Sequence, residues 1–410
     1  MKNFNAISSV WRNRALMPLA IATVATGFSF YVPVSALFLT SRGLSLGDIF
    51  LLESVLLASI LVAEIPSGLI ADKVDRRWII FLGFVFNAVA EVIFATGQCF
   101  GVFVVSFVLS GFGIAMLTGV QDSYIYDSLG EEADKISVGV WGHLSSLELG
   151  AGVVGAIGGG LMAAHDISLP AIVSAFFALF AAIAAVFLPG QRPQCNLEGE
   201  VETLWTSLKR GAGLLFTTPI LLYTAVASSA AFVIFNAVFT LNQPLFEAVT
   251  IPVALWGFIG GGAQLIAAFY NNFASSIVDR FGKKYSLLLA MGYGVVGFYL
   301  MVVPNPVAVV IGFLLVVVGM HARGPITRAV ANRVIPSYRR ATVLNVASSV
   351  GTLVGIALNP LIGWGADASA RGTVAAIAFF LMVMTVIWIP IANRYLEDEE
   401  NNDLETEKIV

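Results

Sequence analysis

Residues 68–77, GLIADKVDRR, place a cluster of charge between two long apolar stretches. Five of these ten residues are charged, whereas charged residues make up 12% of the whole chain. A shift of 207 residues places Asp72 on Asp279, where the run DRFGKK again follows one long apolar stretch and precedes another. Two charged turns at this separation indicate that the chain contains a duplication.

The apolar stretches are long enough to cross a lipid bilayer as helices. Hydrophobic residues make up 58% of the chain, which is too apolar for a surface that faces water. A hydrocarbon core of roughly 30 Å needs about 20 apolar residues in a helix, whereas barrel strands would be about 10 residues of alternating polarity. The sequence therefore predicts an all-α integral membrane protein with twelve transmembrane helices, near residues 15–40, 46–71, 78–98, 101–127, 137–164, 168–188, 214–241, 250–278, 284–303, 306–334, 340–366 and 372–394.

Basic residues fall mainly on one side of these spans. With the N terminus inside, 18 of the 22 Lys and Arg residues lie in inner segments, and only Arg42 and Arg371 lie in outer ones. Basic loops stay on the cytoplasmic side, so both termini are predicted to be cytoplasmic in a bacterial plasma membrane. The first apolar run exceeds the core of a signal peptide and is interpreted as a retained helix.

The longest polar interruption divides the chain in two. Residues 190–213 form a predicted cytoplasmic linker between a six-helix bundle at 1–189 and another at 214–396, and the acidic tail at 397–410 is predicted to be disordered. Two six-helix halves of the same orientation, related by an axis along the membrane normal, are typical of transporters. A binding site near the midplane between the halves is therefore expected.

The charged turns match a family signature, G-x-x-x-D-x-x-G-[RK]-[RK]. The first copy has Gly68, Asp72, Arg76 and Arg77, and the second has Asp279, Gly282, Lys283 and Lys284. Asp75 and Ser275 depart from the pattern, because glycine is usual at both positions. On these residues the chain resembles the major facilitator superfamily across all twelve helices. This resemblance implies a transporter built from two pseudo-symmetric six-helix bundles.

The resemblance also implies a gate in the inner loops. The signature aspartate, here Asp72, would accept hydrogen bonds from the amino end of helix 11, where free N–H groups favour an anion. The arginine, here Arg76, would pair with an acid at the inner end of helix 4, for which Asp127 is the candidate. These contacts are expected when the cytoplasmic side is closed. The predicted gating residues are Gly68, Asp72, Arg76, Asp127, Asp279 and Lys283.

Charged residues inside the spans are candidates for function, because each costs about 2.5–3.5 kcal/mol to insert. The resemblance implies that helices 1, 4, 7 and 10 line a central cavity. Charged residues that face this cavity could bind substrate, or they could instead form pairs between helices that lock a closed state. Arg328 is expected to form such a pair or to extend toward the inner surface. The predicted substrate-binding residues are Asp122, Arg323, Gln121, Tyr124, Asn236 and His321.

Three carboxylates are predicted to carry coupling protons, namely Asp122, Glu64 and Glu148. The resemblance places Glu64 and Glu148 on helices that pack between the halves; alternatively, neighbours such as Ser145 satisfy them. One more acid, Glu91, lies in the outer half of helix 3. Sodium is an alternative coupling ion.

The sequence favours neither a metal site nor nucleotide-driven transport. Its three His and two Cys residues are scattered, and it contains no phosphate-binding loop, so no cofactor and no metal are predicted. Energy must then come from an ion gradient or from the gradient of the substrate. The expected partners are a small-molecule substrate, protons or another coupling ion, and the lipid bilayer, without nucleic acid. A monomer is predicted.

Glycines in helix 5 partly match the antiporter signature of the family, G-x8-G-x3-G-P-x2-G-G. Ala151 and Ala156 replace a glycine and the proline of that signature. The resemblance favours efflux, and the alternative is that these small residues only allow close packing against a helix of the other half. The matching glycines are Gly142, Gly155, Gly159 and Gly160.

Two function hypotheses follow from these residues. The leading one is proton-coupled efflux of small amphipathic or cationic organic compounds, with Asp122 as the acidic determinant. The alternative is a proton-coupled transporter of a specific anionic metabolite, with Arg323 as the carboxylate clamp. A membrane-embedded enzyme is not favoured, because the sequence offers no arrangement of nucleophile, base or metal. A non-transporting sensor is not favoured either, because there is no soluble output domain.

Overall fold

A computed structural model describes residues 9–71, 74–190, 219–334 and 340–407, and these contain helices and turns but no β-strand. Eleven of their segments are long and apolar enough to cross a membrane. The last segment, Val346–Ile387, has 42 residues, about twice what one crossing needs. Ser369 within it has an extended backbone (φ −166°, ψ 108°), so the segment bends there and contains two crossings. The fold class predicted from the sequence, with its twelve crossings, is confirmed.

The first six crossings are built from eight helices, because the first and fourth crossings are each broken into two. A 3₁₀ turn at Val32–Val34 separates the first two helices, and another at Gly130–Glu132 follows the sixth. The helices are α1 (Leu16–Gly27), α2 (Ser35–Ser41), α3 (Leu46–Ala71), α4 (Arg76–Thr96), α5 (Phe100–Leu117), α6 (Val120–Leu129), α7 (Ala133–Ala163) and α8 (Leu169–Val186).

The remaining crossings are built from six helices. The seventh crossing is interrupted at Ala237, and α14 contains both the eleventh and the twelfth crossing. The helices are α9 (Pro219–Asn236), α10 (Val238–Ala248), α11 (Val253–Asn272), α12 (Ala274–Val302), α13 (Pro306–Val334) and α14 (Arg340–Glu407).

The helices group into two compact units. The first unit comprises Met1–Val201 with Pro252–Gly261, and the second comprises Glu202–Ile251 with Gly262–Val410. The first part of α11 therefore groups with the first six crossings, whereas the sequence assigned it to the second bundle. Apart from Gly190, the predicted linker at 190–213 lies outside the described residues.

The acidic tail continues the last membrane helix. α14 extends to Glu407 and so includes most of the segment 397–410 that the sequence predicts to be disordered. Glutamate and leucine are good helix formers, and the tail starts from a helix that is already formed. Both features favour continuation of the helix beyond the membrane.

Small residues bring neighbouring helices close together in both units. A Cβ atom on Gly113 of α5 would lie 2.8 Å from the carbonyl oxygen of Gly83 in α4. In the second unit, a Cβ atom on Gly319 of α13 would lie 2.6 Å from the carbonyl oxygen of Ala290 in α12. Ala290 is the counterpart of Gly83 under the 207-residue shift, so the third and fourth crossings of each unit pack closely at related positions.

Candidate substrate and gating sites

The fourth crossing is broken beside its polar residues. α5 ends at Leu117 and α6 begins at Val120, and Gly119 between them has a φ of 77°, which other L residues rarely adopt. Gln121 and Asp122 occupy the first turn of α6, where unpaired backbone N–H groups favour an anion. The run TGVQD thus starts a polar half-helix within a membrane crossing, a feature of binding sites in transporters.

The start of α6 presents an acid and an aromatic ring on one face. Gln121 Nε2 donates a hydrogen bond to Thr23 Oγ1 of α1 at 3.2 Å, which fixes α6 against the first crossing. The side chain of Asp122 is exposed, and Tyr126, one helical turn later, is 47% exposed. A carboxylate with a neighbouring aromatic face suits an organic cation.

Tyr124 lies on the opposite side of α6 from this face. Its side chain is fully buried in the core of the first unit, and its hydroxyl donates to the carbonyl oxygen of Pro189 at 3.0 Å. This contact ties α6 to the chain that follows α8. The position gives Tyr124 a structural role, and the substrate contact predicted from the sequence stays a prediction.

Glu64 and Glu148 occupy other helices of the first unit. Glu64 is exposed on α3, and Glu148 is exposed on α7. The backbone of Glu148 lies against the end of α1, since a Cβ atom on Gly27 would come within 2.9 Å of the Glu148 carbonyl oxygen. Glu148 is therefore next to the break in the first crossing.

Arg76 and Asp127 are brought together as the resemblance implied. They form an ion pair between Arg76 Nη1 and Asp127 Oδ2, with side chains 19% and 42% exposed. Arg76 Nη1 also lies 3.5 Å from the carbonyl oxygen of Ser123. The start of α4 is thereby linked to α6, the half-helix that carries Asp122.

The two charged turns reverse the chain in different ways. Gly282 has a φ of 71°, a left-handed conformation that suits glycine. Its counterpart Asp75 has a φ of −54°, and its Oδ1 accepts a hydrogen bond from the backbone N–H of Arg77 at 3.1 Å. Asp75 is thus the N-cap of α4, which explains how the first copy manages without the usual glycine.

The other predicted gating residues are less fully described. Asp72 lies outside the described residues. Gly68 and Lys283 lie within α3 and α12, but their surroundings are outside the described part of the chain. Asp279 is exposed on α12. The gating role of these residues stays a prediction.

Arg323 is a buried contact between two helices of the second unit. Its side chain is 5% exposed, and its Nη1 donates to the carbonyl oxygen of Ser228 in α9 at 2.9 Å. Its guanidinium carbon lies 5.9 Å from the centre of the Phe235 ring, also in α9. These contacts hold α13 against α9 and shield the charge from solvent.

Two further predicted residues lie on helices of the second unit. His321 Nε2 and Gln264 Oε1 are 3.1 Å apart, which links α13 to α11. Asn236 is exposed at the end of α9, directly before the break at Ala237. The seventh crossing thus resembles the fourth in placing a polar side chain beside a helix break.

The glycines of α7 pack mainly on the first crossing. A Cβ atom on Gly159 would overlap the carbonyl oxygen of Phe30, and one on Gly155 would lie 3.2 Å from the backbone nitrogen of Ser29. Gly160 instead faces Gly257, in the part of α11 that belongs to the first unit. Two of the four signature glycines therefore contact the first crossing, and close packing accounts for Gly155, Gly159 and Gly160, whereas a Cβ atom on Gly142 would meet nothing within 4 Å.

Sequence reasoning missed the partners that hold the candidate residues in place. Thr23, Ser228 and Gln264 contribute one hydrogen bond each, through a hydroxyl, a backbone carbonyl and an amide. No local pattern marks such partners, because they come from helices distant in sequence. The break at Gly119 had a signal, since glycine next to polar residues within an apolar run indicates an interrupted helix.

The sequence profile of the Major Facilitator Superfamily matches residues 19–359. The chain belongs to this family. Quinolone resistance protein NorA of Staphylococcus aureus is 24% identical over 286 residues, which cover 70% of this chain and 72% of NorA. Multidrug resistance protein 2 of Bacillus subtilis is 26% identical over 164 residues, 40% of each chain.

Solved structures share the fold at low sequence identity. A mutant of the nucleoside transporter NupG has a TM-score of 0.78 and 13% identity, covering 92% of this chain and 98% of NupG. A bacterial homologue of the human lysosomal transporter Spinster has a TM-score of 0.71 and 16% identity, covering 94% and 98%. Family and fold together make this major facilitator superfamily chain a multi-pass membrane transporter and not an enzyme.

Proposed function

We propose that the protein exports small amphipathic or cationic organic compounds from a bacterial cell in exchange for protons. The observation that carries the proposal is the contrast between Asp122 and Arg323. Asp122 is an exposed carboxylate at the start of a half-helix, whereas Arg323 is buried and bonded to a backbone carbonyl. The accessible charge among the candidate substrate residues is thus negative, and it selects a cation.

The relatives support the direction of transport. NorA is named as a quinolone resistance protein, and the Bacillus protein as a multidrug resistance protein. A transporter can protect a cell from a drug only by moving the drug outward, so these names favour export. The partial antiporter signature in α7 agrees with this direction, although packing is enough to explain Gly155, Gly159 and Gly160.

Exchange with protons follows from the chemistry of one carboxylate. A proton and an organic cation compete for Asp122, so binding of one releases the other, and an inward proton gradient can drive the cation outward. Glu64 and Glu148 are exposed acids on α3 and α7 and are proposed to pass protons to and from this site. The Arg76–Asp127 pair is proposed as part of the inner gate.

The placement in the cell is also a proposal. The bias of Lys and Arg supports a cytoplasmic position for the charged turns and both termini, with the spans in the plasma membrane. A monomer is sufficient for this function, because a single chain contains both units, and each unit has a broken crossing with a polar side chain beside the break.

Transport of an anionic metabolite is less well supported. Arg323 would have to leave the carbonyl of Ser228 and the face of Phe235 to bind a carboxylate. These contacts already give the buried guanidinium a hydrogen bond and an aromatic neighbour, which a carboxylate ligand would have to replace.

A binding experiment tests the site directly. Tetraphenylphosphonium, a lipophilic cation, is titrated into purified protein, and the rise in unfolding temperature reports affinity. Asp122→Asn should weaken binding at least about tenfold, a loss of about 1.4 kcal/mol, whereas Asp122→Glu should retain much of it. The matched control is Glu247→Gln, which removes an exposed carboxylate near the end of α10. Equal affinity in all four proteins would refute the assignment.

A further inference from the structure

Another acid of the first unit, Glu91, is partly buried and has one carboxyl oxygen that is fully buried. Glu91 lies on α4, and its carboxyl group lies beside the hydroxyl of Tyr31, close enough for the two side chains to interact. Its Oε2 atom is buried and makes no hydrogen bond within the described part of the chain. A negatively charged carboxylate oxygen that is buried without a hydrogen bond is strongly disfavoured. The position of this atom therefore indicates that the carboxylate binds a cation.

The helices that pack along α4 offer no positive side chain to balance Glu91, and Arg42, which follows α2, donates instead to Gln98 Oε1 and Ser168 Oγ. α5 and α8, which pack along α4, contain no ionisable residue at all. α3 contributes only the acids Asp48, Glu53 and Glu64, and α6 contributes Asp122, Tyr124, Tyr126 and Asp127. The basic residues of α4 itself, Arg76 and Arg77, are at its far end, roughly 20 Å from Glu91 at about 1.5 Å per residue.

A cluster of aromatic rings lies next to Tyr31 and Glu91. The Tyr31 and Phe94 ring centres are 4.7 Å apart, and Phe94 contacts Phe38 at 5.1 Å and Phe103 at 5.7 Å. A metal ion would require more oxygen ligands than one carboxyl group and one phenol supply. The smallest cation, a proton, fits this apolar setting.

Tyr31 connects Glu91 to the break in the first crossing. α1 ends at Gly27, and the chain is irregular until the 3₁₀ turn at Val32. Within this stretch the backbone N–H of Phe30 donates to Ser174 Oγ of α8 at 2.9 Å, and the Phe30 carbonyl rests on Gly159. Movement of the stretch would therefore shift Tyr31 relative to Glu91.

We propose that Glu91 is a second proton-binding site of the transporter, and that its proton is released when the irregular stretch at 28–31 rearranges. The site deepens the proposed function, because proton exchange is the process that it would serve. With the proton in place, Glu91 stays beside Tyr31 and remains enclosed. Without it, the carboxylate needs water, which the aromatic cluster admits only if the break in the first crossing opens.

Infrared spectroscopy of the purified transporter tests proton binding without substrate or gradient. The wild-type protein should show a carbonyl band from a protonated carboxyl group that disappears as pH rises. Glu91→Gln should abolish this band, whereas Glu247→Gln, a change at an exposed acid, should retain it. Because Asp122, Glu64 and Glu148 can contribute carboxyl bands of their own, the spectra of wild type and Glu91→Gln are subtracted, and a difference spectrum without a pH-dependent carboxyl band would overturn the proposal. If Glu91→Gln does not fold, Tyr31→Phe decides, because loss of the phenol hydroxyl should shift the band and an unshifted band overturns the site.

Hydrogen–deuterium exchange tests the link to the helix break. After correction for intrinsic exchange, the peptide that contains Phe28 to Tyr31 should exchange faster at high pH in the wild type. Glu91→Gln should exchange slowly at every pH, and equal pH dependence in both proteins would overturn the link. Neither readout requires transport, so a failure of cation export would leave these results interpretable by themselves.

Discussion

Arg76 and Asp127 form an ion pair that joins the first turn of α4 to α6, the half-helix that carries Asp122. Both side chains are partly exposed, so water and salt weaken their attraction. The pair should contribute no more than about 1 kcal/mol to stability. A link of this strength suits a contact that is made and broken in each transport cycle.

Breaking the Arg76–Asp127 pair should alter transport more than stability. Asp127→Asn or Arg76→Gln should change the free energy of unfolding by less than about 1 kcal/mol. The same energy shifts an equilibrium between two conformations up to about fivefold, since 1.4 kcal/mol is about tenfold. Transport rates in proteoliposomes and thermal unfolding measure the two effects. The exchanged pair, Arg76→Asp with Asp127→Arg, should recover part of the activity, and normal transport in both single variants would rule out a gating role.

Gly159 should be intolerant of even a methyl group. Gly159→Ala places a Cβ atom onto the carbonyl of Phe30 and should destabilise the protein by about 1–3 kcal/mol. Gly142 in the same helix is a matched control, because a Cβ atom there meets nothing within 4 Å. Gly142→Ala should be neutral or stabilise by up to about 1 kcal/mol through helix propensity. Thermal unfolding compares them, and equal stability of the two variants would contradict this packing.

Asp75 should act through its cap and not through its charge. Asp75→Asn keeps the side-chain oxygen that accepts from the Arg77 N–H and should retain most of the stability. Asp75→Ala removes it and should cost about 0.5–2 kcal/mol. Thermal unfolding at low and high salt separates the two contributions. Equal losses in both variants would show instead that the Asp75–Arg77 ion pair, 3.6 Å long, is what matters.

Arg323 should be needed for packing of the second unit. Arg323→Lys loses the planar group that bonds Ser228 and lies over Phe235, and should destabilise by about 1–3 kcal/mol. Binding of tetraphenylphosphonium to the folded variant should remain close to normal. Loss of binding at unchanged stability would instead place Arg323 in the substrate site.

The architecture could be predicted from sequence because the membrane restricts what a chain can form. Little knowledge of packing is needed to recognise the features that predict it. These are the long apolar runs, the charged turns at Asp72 and Asp279, and the bias of basic residues. The pairing of Arg76 with Asp127 came from the resemblance alone. The structure shows this ion pair between the start of α4 and α6, and it shows the break at Gly119 before α6, which counting apolar runs did not predict.

The finer features depend on contacts between distant helices. The sequence predicts that Tyr124 is a polar residue of the cavity. In the structure its ring is buried in the core, and its hydroxyl donates to the carbonyl oxygen of Pro189. The sequence predicts that Arg323 is a ligand clamp, whereas in the structure its Nη1 donates to the backbone carbonyl of Ser228. The grouping of 252–261 with the first unit likewise reflects the approach of Gly160 to Gly257, which depends on three-dimensional packing.

Flux through reconstituted protein tests the central claim, that Asp122 exchanges an organic cation for protons. Proteoliposomes loaded with tetraphenylphosphonium are placed in acidic or pH-matched buffer, and release of the cation is followed over time. Release should be accelerated by the pH gradient in the wild type and in Glu247→Gln, and the acceleration should be lost in Asp122→Asn. Release from Asp122→Asn at the wild-type rate, with the same response to the gradient, would contradict the account.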